Sequence, residues 1–147
     1  MRTARREGAI FVDLCAQLLG EGRSVRFRAE GTSMLPTILD GDLITVGPVE
    51  RDSIRSGDII LFHQHRRPIV HRVTEIRRTG DGGYLVVARG DGKAADDAPI
   101  EPRQILGRIV AIERRADSRL MRIRRAASVR LRRAVRSASC LLREKIS

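Results

Sequence analysis

A serine, a histidine and a pair of aspartates stand in three short segments of this 147-residue sequence, two of which contain glycine. Ser33 lies within residues 31–37, Gly-Thr-Ser-Met-Leu-Pro-Thr, where Gly31 permits a tight turn and Pro36 restricts the chain on the other side. Such a loop can present a hydroxyl on a rigid stem, but the serine needs an adjacent base to act as a nucleophile at neutral pH. A connector with a solvated serine is the alternative interpretation.

His71 is the candidate base. It lies in residues 69–73, Ile-Val-His-Arg-Val, which follow residues 56–62 through a predicted hairpin. In a strand, Ile69, His71 and Val73 point to the same face, which puts the imidazole between two apolar neighbours. Partial burial there favours the neutral imidazole that accepts a proton. A histidine on a sheet surface without a catalytic role is the alternative.

Two aspartates in residues 90–97, Gly-Asp-Gly-Lys-Ala-Ala-Asp-Asp, are candidate partners for that imidazole. A carboxylate that holds the second ring nitrogen orients the base and stabilises its charged form. Asp91 or Asp97 could do this, and the residues alone leave the choice open. Solvation of an acid-rich glycine loop, or a weak cation site, is the alternative interpretation.

The order and content of these segments resemble the type I signal peptidases over about residues 25 to 112. A histidine at the base position points to the endoplasmic-reticulum and archaeal branch, because the usual bacterial enzymes carry lysine there. The segments that carry the resemblance are Gly-x-Ser-Met-x-Pro-Thr at 31–37, Gly-Asp at 41–42, Gly-Asp-Ile-Ile-x-Phe at 57–62, Ile-Val-His-Arg-Val at 69–73, Gly-Asp at 90–91 and Asp-Asp at 96–97.

This resemblance implies a serine endopeptidase in which Ser33 is the nucleophile and His71 the general base. Asp97 becomes the orienting acid, with Asp91 as a second carboxylate. The resemblance also implies coiled antiparallel sheets and a groove in which an extended peptide lies beside a strand. It further implies peptide or protein substrates with small side chains before the cut. No metal or organic cofactor is expected in this acyl-enzyme chemistry.

The oxyanion hole is where this sequence departs from the signal peptidases. Those enzymes usually have a second serine two residues before the nucleophile, and Gly31 occupies that position here. The Gly-x-Ser-Met form is instead similar to that of the related self-cleaving repressors. The resemblance assigns the backbone N–H of Ser33 to the oxyanion hole. Thr32, or the backbone around Gly31, then takes the place of the missing hydroxyl.

The rest of the sequence predicts a mainly β fold with a helix at each end. Apolar residues at helical spacing predict an amphipathic helix over about residues 4 to 19. Turn signals, among them Arg67-Pro68 and the Gly-Asp-Gly-Gly of residues 80–83, separate the predicted strands. Six runs are predicted as strands: 25–29, 43–46, 59–62, 69–73, 84–88 and 105–112.

We expect three parts in the chain: a helix at 1–22, a β catalytic domain at 23–113, and an arginine-rich amphipathic helix at 114–147. Of the net charge of +11, residues 114–147 contribute +10 and residues 1–113 only +1. An arginine-faced helix fits an anionic membrane surface, because its continuous apolar stripe would be wasted on nucleic acid. Nucleic acid is therefore the less favoured partner. A solvated extension is the third interpretation.

The sequence indicates neither a membrane-spanning segment nor a cleaved signal peptide. The longest run without charged residues is 31–39, far short of the roughly 20 apolar residues of a spanning helix. The apolar stretch near the N-terminus is broken by Asp13 and Gln17. His63 and His65 supply only two of the three or four ligands that a metal site needs. We expect a peripheral membrane-associated or cytoplasmic protein.

Two rival functions stay open. The first is a repressor-like regulator that cuts itself and uses its basic helix on DNA, although no helix-turn-helix precedes the peptidase-like region. It predicts truncated products of the purified chain and salt-sensitive DNA binding. The second is a catalytically inactive peptide-binding module of the same fold. Such a module would bind extended peptides, but a serine-directed probe would not label Ser33.

Overall fold

A computed structural model describes residues 2–115 of the chain. This part contains one α-helix, six strands and two short 3₁₀ helices, at Arg51–Ser53 and Pro102–Gln104. The mainly β fold is confirmed, and a strand is present at each of the six predicted places. The α-helix and the strands are α1 (Arg2–Gly20), β1 (Val25–Arg28), β2 (Leu43–Gly47), β3 (Ile59–Gln64), β4 (Arg67–Arg78), β5 (Tyr84–Arg89) and β6 (Ile105–Glu113).

The six strands form a single antiparallel sheet in the order β1-β2-β6-β3-β4-β5. The last strand, β6, lies in the middle and joins the β1-β2 pair to the β3-β4-β5 meander. Register shifts occur at Thr45/Val46, Leu61/Phe62 and Val73/Glu75. Shifts of this kind bend the strands in which they occur.

The core lies on both faces of the sheet. Because successive strand residues point to opposite faces, Ile60 and Phe62 join one buried cluster and Leu61 joins another. The helix α1 covers the second cluster with Cys15 and Leu19, and it contacts β1, β4 and β6. Burial raises the pKa of the Cys15 thiol to about 11, so this cysteine is a core residue that stays protonated at neutral pH.

The hairpin between β3 and β4 differs from the prediction. Arg67 and Pro68 do not form the turn; both lie in β4, opposite Gln64 and His63 of β3. The turn is His65 and Arg66, whose φ angles of 49° and 61° are the left-handed values of a two-residue type I′ turn. β4 therefore starts at Arg67 and is 12 residues long.

A proline inside a strand is tolerated where the strand has an open side. The pairing of β4 with β5 begins at Arg72, so Pro68 lies where β4 pairs with β3 alone. Its ring nitrogen, which has no hydrogen to donate, can face the side of β4 that has no neighbouring strand. The longer strand carries His71 near its middle.

The predicted basic helix at 114–147 lies outside the described residues, apart from Arg114 and Arg115. The division of the chain at residues 23 and 114 stays a prediction. Among residues 2–115, no helix is long and apolar enough to cross a membrane.

Candidate active site

The loop between β1 and β2 presents Ser33. Its neighbour Met34 and the nearby Ile38 are buried and belong to a core cluster. These two side chains fix the loop to the core. Gly31 has a φ of 91°, in the left-handed region that favours glycine. The N–H of Gly31 donates to Asp40 Oδ1 at 2.9 Å, which closes the loop at its start. The serine side chain is half-buried on this anchored stem.

His71 is 2% exposed and lies on β4 with its ring directed at Ser33. Ile69 and Val73 belong to the same core cluster, as the strand alternation predicts. The ring of Phe62 meets the imidazole edge-on, with 6.2 Å between the centroids. Nε2 of His71 lies 3.1 Å from Ser33 Oγ. The imidazole is thus held in a mostly apolar slot, with one nitrogen within hydrogen-bond distance of the hydroxyl.

Asp97 is held beside β5 by backbone hydrogen bonds. Its N–H donates to the carbonyl of Ala88 at 2.8 Å, and Ile100 exchanges two hydrogen bonds with Val86 at 2.9 and 2.8 Å. Oδ2 of Asp97 is hydrogen-bonded to Nδ1 of His71. The side chains of this pair are only 11% and 3% exposed, and a hydrogen bond shielded from water is electrostatically stronger than one at the surface.

Ser33, His71 and Asp97 therefore converge from three separate segments, 38 and 26 residues apart in sequence. An ionised carboxylate can only accept a hydrogen bond. Nδ1 of His71 then carries the proton and donates it to Asp97, which leaves the lone pair of Nε2 facing Ser33 Oγ. This arrangement can remove a proton from the hydroxyl and hold the resulting imidazolium.

Asp91, the other predicted carboxylate, binds the residue next to the histidine instead. Its Oδ1 accepts a hydrogen bond from Arg72 Nε at 2.9 Å, and its Oδ2 accepts one from Arg72 Nη2 at 2.8 Å. The hydroxyl of Thr37 also donates to Oδ2. The hydrogen bonds from Arg72 hold the pKa of Asp91 below its ordinary value and raise the pKa of Arg72 above its own.

Two glycines let the Asp91 loop approach the backbone of Ser33. The N–H of Gly92 donates to the Ser33 carbonyl at 2.9 Å. A Cβ at Gly90 would lie 2.4 Å from the same carbonyl oxygen and 3.0 Å from His71 Nε2. The first distance is shorter than a side chain tolerates, so a side chain at position 90 would push the serine loop away from the histidine.

The three oxyanion-hole candidates differ in the contacts of their backbone groups. The N–H of Gly31 is occupied by Asp40. Thr32 is exposed, and its carbonyl accepts the N–H of Leu35 at 3.2 Å. Within residues 2–115, the N–H of Ser33 has no hydrogen-bond partner. The N–H and the hydroxyl of Thr32 likewise have no hydrogen-bond partner in this part of the chain, so Ser33 and Thr32 both offer donors to an incoming oxygen, whereas Gly31 does not.

Asp42, the aspartate of the Gly-Asp motif at 41–42, is 1% exposed. Its Oδ2 accepts the N–H of Leu39 at 2.9 Å and a hydrogen bond from Arg114 Nη1 at 2.7 Å. Burying a carboxylate is costly unless it has partners of this kind. This motif therefore supports the end of the Ser33 loop, where the chain enters β2.

Thr37, Arg72 and the glycines of the Asp91 loop contribute to this arrangement, although their residue types alone did not indicate it. Thr37 and Arg72 nevertheless lie inside the motifs that carry the resemblance. The available clue was electrostatic, because an arginine in a half-buried strand often pairs with a carboxylate, and Asp91 was one of two aspartates with no assigned partner.

The two other histidines lie at the far end of the β3-β4 hairpin. His63 is in β3, where burial lowers its pKa, and His65 is in the turn. Within residues 2–115, no three His, Cys, Asp or Glu side chains lie close enough together to hold a metal ion.

The chain that carries this site matches a known protein family. A family model described as Peptidase S24-like matches residues 5–110, a range that includes Ser33, His71 and Asp97. The chain belongs to this peptidase family. The S24-like match extends from α1 into β6, so it covers the helix as well as nearly all of the sheet.

Relatives of this chain include catalytic subunits of signal peptidase complexes, which confirms the resemblance to signal peptidases. The human subunit SEC11C is 31% identical over 86 residues, which cover 52% of this chain and 45% of that protein. The sec11 subunit of Dictyostelium discoideum is 36% identical over 67 residues, 44% of this chain and 37% of that protein. The Eremothecium gossypii subunit SEC11 is 35% identical over 74 residues, 49% and 44% respectively. The chain spans less than half the length of each of these relatives.

Proposed function

We propose that this S24-like peptidase is a serine endopeptidase that cuts extended, leader- or signal-like peptides. One observation carries the proposal: Ser33 Oγ lies 3.1 Å from Nε2 of His71, whose Nδ1 is hydrogen-bonded to Asp97. The relatives named as signal peptidase catalytic subunits support this class of substrate. Substrates with small side chains before the cut follow from the same resemblance.

In the first half of the reaction, Ser33 Oγ attacks the scissile carbonyl carbon while Nε2 of His71 takes the hydroxyl proton. Asp97 stabilises the imidazolium that forms. The tetrahedral intermediate collapses as His71 gives the same proton to the leaving amine. The C–N bond of the substrate breaks, and the acyl group stays on Ser33 as an ester.

In the second half, a water molecule takes the place of the amine. His71 removes a proton from this water, whose oxygen attacks the ester carbonyl. The second tetrahedral intermediate then collapses, the proton passes from Nε2 to Ser33 Oγ, and the carboxylic acid product leaves. Each group thus returns to its starting state.

The negative oxygen of each intermediate needs a donor that is already in place. The N–H of Ser33 suits this role, because the hydroxyl and the N–H of one residue face the same carbonyl. One such donor is worth about 3 kcal/mol of transition-state stabilisation in other enzymes. Gly31 is a weaker candidate, since its N–H already donates to Asp40.

The test is cleavage of a fluorogenic peptide with an Ala-x-Ala sequence before the cut by the full chain. Ser33→Ala should lower kcat/KM by at least about 10³-fold, because the nucleophile is lost. Ser24→Ala is the matched control, since this exposed serine precedes β1. Its activity should equal that of the wild type.

Cleavage by Ser33→Ala at the wild-type rate would refute the proposal. Two other results would assign the rival functions. Truncation of the purified chain that disappears in Ser33→Ala, without cleavage of the peptide, would identify a self-cleaving regulator. Binding of the peptide without any cleavage would identify an inactive peptide-binding module.

A further inference from the structure

Arg72, Asp91 and Thr37 form a hydrogen-bonded cluster beside the candidate active site, here called the clamp. Each member is close in sequence to one of the reacting groups. Thr37 lies in the loop of Ser33, Arg72 directly follows His71 in β4, and Asp91 lies in the loop that leads to Asp97. The three segments that carry the chemistry are therefore tied together a second time, through a different set of atoms.

The contacts within the clamp are directional. Arg72 meets both oxygens of Asp91, at 2.9 and 2.8 Å, in a two-bond arrangement that fixes the angle between the two side chains. Nη1 of Arg72 donates in addition to the carbonyl of Gly57 at 2.9 Å, so all three guanidinium nitrogens are engaged. The hydroxyl of Thr37, which lies in the serine loop, donates a further hydrogen bond to the Asp91 carboxylate.

The serine loop needs such a connection because it lies outside the sheet. Between β1 and β2, the loop residues have none of the ladder hydrogen bonds that fix His71 in β4. The loop is held by the buried side chains of Met34 and Ile38 and by the bond from Gly92 to the Ser33 carbonyl. At its two ends, the N–H groups of Gly31 and Leu39 donate to aspartate side chains. The clamp ties the same loop to β4 through Asp91, and Arg72 Nη2 also lies 3.5 Å from the Thr37 hydroxyl oxygen. Misplacement of a reacting atom by about 1 Å can reduce catalysis about 100-fold.

Within residues 2–115, no hydrogen bond joins the clamp to the Ser33 hydroxyl or to the His71 ring. The clamp therefore acts through the backbone of its three segments. We infer that Arg72, Asp91 and Thr37 are positioning residues that hold Ser33 at reacting distance from His71. This inference rests on the proposed function of those two residues, and it gives Asp91 a positioning role in place of a catalytic one.

The first test separates the Thr37 hydroxyl from the shape of its side chain. Thr37→Val keeps the shape and removes the donor to Asp91, whereas Thr37→Ser keeps the donor. With the full chain and the Ala-x-Ala peptide, Thr37→Val should lower kcat by about 10- to 100-fold with KM within about twofold of wild type. Thr37→Ser should restore kcat to within about threefold of wild type.

The second test separates positioning from stability by means of a matched ion pair. Arg108 and Asp58 are 3.1 Å apart, with side chains 34% and 22% exposed. Arg72 and Asp91 have closely similar exposures of 35% and 16%. Arg72 donates three hydrogen bonds of 2.9 Å or less, whereas Arg108 donates one. Arg72→Gln should therefore lower Tm more than Arg108→Gln, and kcat is compared at a temperature well below both Tm values. Only Arg72→Gln should lower kcat, by about 100-fold, while Arg108→Gln should stay within about twofold of wild type.

Three outcomes overturn the clamp, and the third is distinguished from the first two by the activity of Ser33→Ala. If Thr37→Val and Arg72→Gln keep the wild-type kcat while Ser33→Ala is inactive, the clamp is wrong and the proposed function stands. The clamp is wrong in the same way if the two arginine variants lose kcat only in proportion to Tm. If Ser33→Ala cuts as fast as wild type, the proposed function fails, and the clamp loses its basis.

Discussion

His71 lies between a hydroxyl and a carboxylate, and the carboxylate decides which of its two ring nitrogens carries the proton. With Asp97 ionised, Nδ1 must donate and Nε2 is left to accept. An asparagine at position 97 could instead turn its NH₂ group toward Nδ1. The proton would then move to Nε2, and the ring could no longer accept the proton of Ser33.

We therefore expect Asp97→Asn to lower kcat by about 10²- to 10⁴-fold, with a much smaller change in KM. The measurement is steady-state cleavage of the Ala-x-Ala peptide at pH 7. Asp96→Asn is the control, since the Asp96 side chain is 47% exposed and lies 3.8 Å from Arg89. Equal activity of the two variants would show that Asp97 does not orient the base.

The proximity of Ser33 to His71 could be predicted from the sequence, because each lies in a short motif whose residue types suit its proposed role. The choice between Asp91 and Asp97 could not be made in the same way. Both aspartates follow β5 in one loop, and the decision depends on the bonds of residues 97–100 to that strand. A single bridge between Val86 and Ile100 has no periodic pattern in the sequence.

At the level of elements, alternation and helical spacing predicted the elements better than their ends. The helix α1 and the six strands were each expected, but β4 extends beyond the predicted 69–73 in both directions. Its start was missed because His65 and Arg66 form the turn. Type I′ turns usually contain glycine or asparagine, so this pair carries little turn signal.

Sequence patterns could not predict the clamp, and the reason is a different one. Its members lie in a loop, a strand and a second loop, 54 residues apart between Thr37 and Asp91. Local propensities do not report a contact over this separation. The resemblance named Asp91 as a second carboxylate, and its two bonds to Arg72 became visible only in the folded chain.

For the molecule as a whole, the nearly neutral body and the strongly basic end were visible from composition alone. Residues 1–113 carry +1 of the net charge of +11, and residues 114–147 carry +10. The described part ends at Arg115, so the partner of the basic segment stays a proposal. An anionic membrane surface is the proposed partner, since each basic residue near such a surface contributes about 1 kcal/mol of binding.

Vesicle co-sedimentation tests this proposal. The full chain should bind vesicles of phosphatidylserine and phosphatidylcholine more strongly than vesicles of phosphatidylcholine alone, and 0.5 M salt, roughly, should release it because of screening. Replacing four arginines of the segment by glutamine should weaken binding and leave peptide cleavage in solution unchanged: Arg124, Arg125, Arg132 and Arg133. Equal binding to both vesicles would refute the membrane proposal. Tighter binding to DNA than to anionic vesicles would favour nucleic acid.

The proposed peptidase chemistry requires that Ser33 and His71, whose side chains lie 3.1 Å apart, work as one unit. The most direct measurement is kcat/KM for Ser33→Ala, His71→Ala and the double variant on the Ala-x-Ala peptide. Residues that act together are strongly non-additive, so each single variant should lose at least about 10³-fold and the double variant hardly more. A Ser33→Ala variant within about tenfold of wild type, or a double variant whose loss equals the product of the two single losses, would contradict the account.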